Sequence, residues 1–141
     1  DWLIDNGAQS LSIVGSTGEN MAMNEETQKE VLGHVASYIN GAVPLVGGTG
    51  KYDTKTTLEL SHYAEDCGYD ALLVLLPFYY TPHKKSVLQH YRNLRKELGK
   101  NIYIKNNPCF AANRLTHQEE KSRLKNGPFR GIKAELVNPT R

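Results

Sequence analysis

Apolar positions along the chain follow two alternating rhythms. Short, mostly apolar runs occupy Ser10–Gly15 (SLSIVG), Val43–Gly47 (VPLVG), Ala71–Leu76 (ALLVLL), Asn101–Lys105 (NIYIK) and Phe129–Lys133 (FRGIK). Such runs, bounded by Gly, Pro or Asn, read as strands. The uninterrupted third run predicts a strand covered on both faces. Between the runs, apolar residues recur at helical spacing. Val31, Leu32, Val35 and Ile39 share one face of a helix that begins at Asn24 and ends at Asn40-Gly41. Glu25 and Glu26 sit in its first turn, where the helix dipole favours carboxylates. Asp53 or Thr54 caps a second helix with Leu60, Ala64 and Cys67 inward, and Gly68 follows its end. A third follows Pro82-His83, with Val87, Leu88, Tyr91, Leu94 and Leu98 inward, and stops at Gly99. Thr116 and Glu119 have capping-box spacing, but Leu124 alone is large and apolar in the helix they would open. The first seven residues read as the tail of a helix already under way.

Strands alternating with helix-length crossovers predict a parallel sheet with right-handed connections. The 141 residues suit a single domain, 1–141, and fall short of the roughly 250 typical of a complete (β/α)8 barrel. Two architectures fit: a complete doubly wound domain, or part of a barrel. In both, function gathers at the C-terminal ends of the strands.

Charge and composition narrow the function classes. Lys plus Arg number 17 against 15 Asp plus Glu, with no basic stripe, so nucleic acid is not an expected partner. The longest apolar run, Ala71–Phe78, is far short of the roughly 20 residues that cross a bilayer, so no membrane is expected. Cys67 and Cys109 lack metal-ligand spacing and read as reduced core thiols of a cytoplasmic protein, with a disulfide as the alternative. The five histidines, His34, His62, His83, His90 and His117, suggest no metal site. His34, His62 and His90 read as surface or partly buried helix residues.

The strand ends carry the chemistry. Gly15-Ser16-Thr17-Gly18-Glu19 follows the first strand and Gly47-Gly48-Thr49-Gly50 the second. Pro77-Phe78-Tyr79-Tyr80 follows the third, Lys105-Asn106-Asn107-Pro108 the fourth, and the fifth ends at Gly131-Ile132-Lys133. Gly-Ser-Thr-Gly is either an ordinary turn or a cradle whose amides and hydroxyls hold a carboxylate or phosphate. It matches neither the phosphate-loop nor the dinucleotide fingerprint. Lys133 and Lys105 are either solvated rim residues or pocket amines, and a desolvated amine can attack a carbonyl. Tyr79 and Tyr80 are packing residues or proton donors.

Taken in order, these five segments resemble the dihydrodipicolinate synthase/N-acetylneuraminate lyase family of Schiff-base-forming pyruvate aldolases. Gly15–Glu19 resembles the family's G-[ST]-T-G-E loop, and Val43–Gly50 its strand ending in G-T-G. Pro77-Phe78-Tyr79 resembles P-[YF]-[YF], Asn106 and Pro108 resemble Y-N-x-P, and Gly131-Ile132-Lys133 resembles G-[IV]-K. The resemblance implies an α/β fold of the parallel TIM-barrel type, here incomplete: about five βα units, without the first strand and the last two. It implies catalytic roles for Lys133 as the imine lysine, for Ser16 and Tyr79 in a proton relay, and for Lys105 at the position of a relay tyrosine. It implies substrate-binding roles for Thr17, Gly15 and Gly18, with pyruvate and an aldehyde as substrates and no cofactor.

A homo-oligomer is implied too, because Tyr79 matches a tyrosine that reaches a neighbouring subunit's site. The implied reaction is carbon–carbon bond formation or cleavage of the synthase type that feeds lysine biosynthesis. The alternatives are a sialic-acid lyase or keto-deoxy sugar acid aldolase of the same family, or a non-catalytic small-anion-binding module. Lys105 and Phe110 depart from the family, at its relay tyrosine and at the synthase's carboxylate-binding arginine, and Ala134-Glu135-Leu136 departs after the lysine. With strands missing as well, the chain alone is expected to have little or no activity.

Overall fold

A computed structural model describes residues 2–107 and 129–134. The elements follow in the order α1 (Trp2–Asp5), β1 (Leu11–Ile13), α2 (Glu25–Ile39), β2 (Leu45–Gly48), α3 (Thr54–Asp66), β3 (Ala71–Leu75), α4 (Lys84–Glu97), β4 (Asn101–Asn106) and β5 (Phe129–Ala134). All five strands pair in parallel, each with its neighbour in the chain, giving the order β1-β2-β3-β4-β5. The strand order never reverses, unlike that of a doubly wound sheet. The helices lie side by side, α2 against α3 and α3 against α4. Cys109, Phe110, His117 and the helix expected from Thr116 lie outside the described residues.

Local chemistry sets the helix boundaries. Asn24 caps α2 by accepting from the Thr27 amide at 2.8 Å, and Asn40 ends it in the left-handed region. The Asp53 carboxylate accepts from the Thr56 amide at 2.9 Å at the start of α3, and Gly68 follows that helix at φ +90°. Successive strand residues alternate between faces. Leu72, Val74, Ile102 and Ile104 are fully buried and join Leu32, Ala64, Tyr91 and Leu94 of the helices in one core. Tyr91 reinforces this layer by donating its hydroxyl proton to the Val74 carbonyl.

Two expectations change. The first strand is shorter than Ser10–Gly15, because Val14 turns the chain at φ +56°. Non-glycine residues rarely adopt that conformation, β-branched ones least of all. His90 is more deeply buried than the surface or partly buried position expected: it is 5% exposed, and its Nδ1 lies 2.8 Å from Thr54 Oγ1, tying α4 to α3. Val87, Tyr91 and Leu94 define the inward face at helical spacing, and position 90 falls beside them. Burial pushes the His90 imidazole down to about 4, against the opposing pull of Asp53.

A base that resists protonation only when folded stabilises the protein above its unfolded value near 6.5, and that stability drains away as pH falls through about 4. Acidification across this window is expected to cost roughly 3 kcal/mol. His90→Asn, which does not titrate and keeps a polar atom facing Thr54, should flatten that part of the stability-versus-pH curve. An equally steep loss in the variant would assign it to other groups.

Candidate functional site

The C-terminal ends of β1, β2, β3 and β4 converge on a small cavity lined by Val14, Gly15, Ser16, Asn20, Gly48, Gly50, Leu73, Leu75 and Lys105. Each element contributes for a local reason. Val14 swings the chain off β1 so that Gly15 and Ser16 turn over the sheet, and Glu19 at φ +58° closes the turn. The Glu19 amide donates to the Ser16 carbonyl at 3.1 Å. Gly48 leaves room for the Val14 carbonyl, which a Cβ at that position would strike. Lys105, on the same side of β4 as Tyr103, is only 5% exposed.

Lys105 Nζ donates to Ser16 Oγ at 2.6 Å, joining the first β–α loop to the fourth strand. The Cα positions of Lys105 and Lys133 are lateral partners in the β4–β5 register. The cavity beneath the Lys105–Ser16 pair is about 10 Å³, room for about one water. Asn20 lines it and is 7% exposed, and its Oδ1 has no hydrogen-bond partner among the described residues. A buried acceptor in this condition calls for a donor from water or ligand.

The remaining expected residues are distributed around this centre. Thr17 and Gly18 are exposed on the loop. Tyr79 stands 95% exposed at φ +78° and is not drawn into the cavity. Tyr80 folds back, donating its hydroxyl proton to the Tyr52 carbonyl at 3.3 Å. No group of three metal-binding side chains occurs among the described residues.

Two residues escaped the sequence reading. Asn20 directly follows the conspicuous loop, but no pattern marked it. Lys51 follows the glycine-rich end of β2, which was its only signal. It is 8% exposed, and burial lowers its ammonium below the usual lysine range, with Glu25 pulling the other way. Its Nζ lies 3.5 Å from the Met23 carbonyl, in a second cleft of about 500 Å³ walled by Met21, Glu25, Tyr52 and Phe78.

Comparison with known proteins gives this arrangement a context. Residues 1–136 match the model of the dihydrodipicolinate synthetase family. The 4-hydroxy-tetrahydrodipicolinate synthase of Bacillus subtilis (strain 168) is 32% identical over 108 residues, which are 77% of this chain and 37% of that protein. The enzyme of that name from Fervidobacterium nodosum is 36% identical over 107 residues, 76% of this chain and 37% of its own. The chain thus spans less than half the length of these relatives. Among solved structures, a chloride-inhibited dihydrodipicolinate synthase from Acinetobacter baumannii, complexed with pyruvate, superposes with a TM-score of 0.89 at 28% identity. That match covers 94% of this chain and 46% of that one. YagE, a prophage protein from E. coli K12, superposes at 0.94 and 24% identity over 98% of this chain and 47% of its own, a likeness of fold.

Proposed function

The chain belongs to the dihydrodipicolinate synthetase family and has part of its TIM-barrel fold, and from that premise we propose that it carries the pyruvate-binding side of a Schiff-base aldolase site. The observation that carries this reading is the connected row across the sheet. Ser16 of the Gly-Ser-Thr-Gly loop contacts Lys105, and Lys105 is the lateral partner of the Lys133 position. The loop read as anion-binding and the position read as the reactive amine thereby belong to one end of the sheet.

In this reading, Ser16, Thr17 and the loop amides at Gly15 and Gly18 receive the pyruvate carboxylate. The unprotonated Lys133 amine attacks the ketone carbon, and the carbinolamine loses water to give an iminium. The iminium draws electrons from the adjacent methyl group, which yields a proton and becomes an enamine. The enamine carbon then bonds to an aldehyde, and hydrolysis of the new iminium frees the product and restores the amine. The exposure of Tyr79 supports its donation to a neighbouring subunit, hence a homo-oligomer. The synthase reaction is the finer assignment, supported by the name shared by relatives at 32% and 36% identity. Incubation of the purified protein with pyruvate and borohydride, followed by peptide mass mapping, tests the proposal. The expected result is one reduced pyruvate adduct per chain, on Lys133; a protein left unmodified refutes it.

A further inference from the structure

The contact between Lys105 and Ser16 fixes the polarity of the site as well as its shape. A serine hydroxyl ordinarily both accepts and donates, and a phenol at position 105 would do the same. A lysine ammonium only donates. With Lys105 Nζ donating into Ser16 Oγ at 2.6 Å, the hydroxyl proton is left pointing away from the ammonium. The Ser16 hydroxyl is thereby set as a donor toward any further partner. Lys105 is also the one ionisable side chain among the described residues that line the cavity. The cavity itself is too small for a three-carbon acid, so a ligand meets the pair from the loop side, where Ser16 is half-buried and Thr17 exposed.

We propose that Lys105 is a carboxylate anchor, a residue that selects small organic monoanions for this site by charge-assisted hydrogen bonding together with Ser16. The inference rests on the reading of the site as one for a 2-keto acid, and it deepens that reading. An ammonium held at the end of a strand, with its direction set by a hydroxyl, pays little ordering cost on meeting a carboxylate. Neutral ketones gain nothing from it. Lys105 thus acts on which ketone is bound, and Lys133 on what becomes of it.

Two probes separate this role from mere structure: propanoate, which has the size and charge of pyruvate without its ketone, and acetone, which has the ketone without the charge. In the purified protein, Lys105→Met is expected to weaken propanoate and pyruvate binding, measured calorimetrically, by about 10- to 100-fold. Borohydride trapping of acetone on Lys133 should fall far less than that of pyruvate, so the preference for pyruvate over acetone collapses by a similar factor. Lys105→Gln, neutral but polar and of similar length, should behave alike and guards against misfolding of the first variant. Pyruvate and acetone trapping that fall together, undiminished propanoate binding, or an adduct on Lys105 itself would each overturn the proposal. Lys105-dependent propanoate binding without trapping of any ketone would uphold the anchor while removing the imine reading.

Discussion

Lys133→Ala is expected to abolish reductive trapping of pyruvate completely, rather than merely slow it. An imine requires a primary amine with a free electron pair, and no neighbouring hydroxyl or amide can replace one. Lys133→Arg should be equally inert, because a guanidinium stays protonated in proteins. The informative feature is the neighbour. Position 133 is in lateral register with Lys105, so a second amine-bearing residue sits on the adjacent strand. If catalysis were a loose property of any lysine at this rim, the Lys133→Ala protein would still gain an adduct, displaced to Lys105. If the role belongs to Lys133, the intact mass of the variant stays unchanged after borohydride while the parent gains one reduced pyruvate.

Gly48→Ala is expected to cause the largest loss of stability of any single-methyl addition in the described chain. A Cβ there would collide with the Val14 carbonyl, a backbone group that cannot swing away as a flexible side chain would. Val14 is poorly placed to yield, being 4% exposed and already at φ +56°. Gly48 is held as well: its carbonyl accepts from Gln28 Nε2 at 3.2 Å, and its Cα pairs with Leu73 in the β2–β3 register. The cost should reach about 3 kcal/mol or more, at the upper end for overpacking. Gly41→Ala is the control. Its Cβ would meet nothing within 4 Å, so only the positive φ of +79° is penalised, and about 1 kcal/mol is expected. Urea midpoints of the two variants, with the slope checked for constancy, measure the difference. Equal losses would mean that β1 and β2 can separate without penalty.

The elements and the site were not equally legible in the chain. All five strands and the three longer helices followed from periodicity and caps, because burial on both faces leaves an unbroken apolar run such as Ala71–Leu75. Asn24 and Asp53 announced their helices because a side-chain oxygen beside orphan amides is local chemistry. The left-handed turn at Val14 was hidden, since no valine predicts it. The depth of His90 was hidden too. Its burial depends on Thr54, a residue 36 positions away, to satisfy one ring nitrogen. At the site, the loop from Gly15 to Glu19 stood out by composition, whereas the Lys105–Ser16 contact spans 89 positions and only the fold creates it.

The strictly consecutive sheet order has a consequence for how the molecule comes into being. Each strand finds its partner roughly thirty residues along, and no strand must wait for a distant one or be threaded between two already paired. A nascent chain can therefore dock each new β–α unit onto the last as it leaves the ribosome, growing the sheet in one direction. The same order makes growth dependent on its predecessors. A lesion at β1–β2, as in Gly48→Ala, strikes an earlier seam than one at β4–β5, which meets a platform already built. Defects of equal equilibrium cost at the two ends should thus differ in the yield of protein recovered during synthesis.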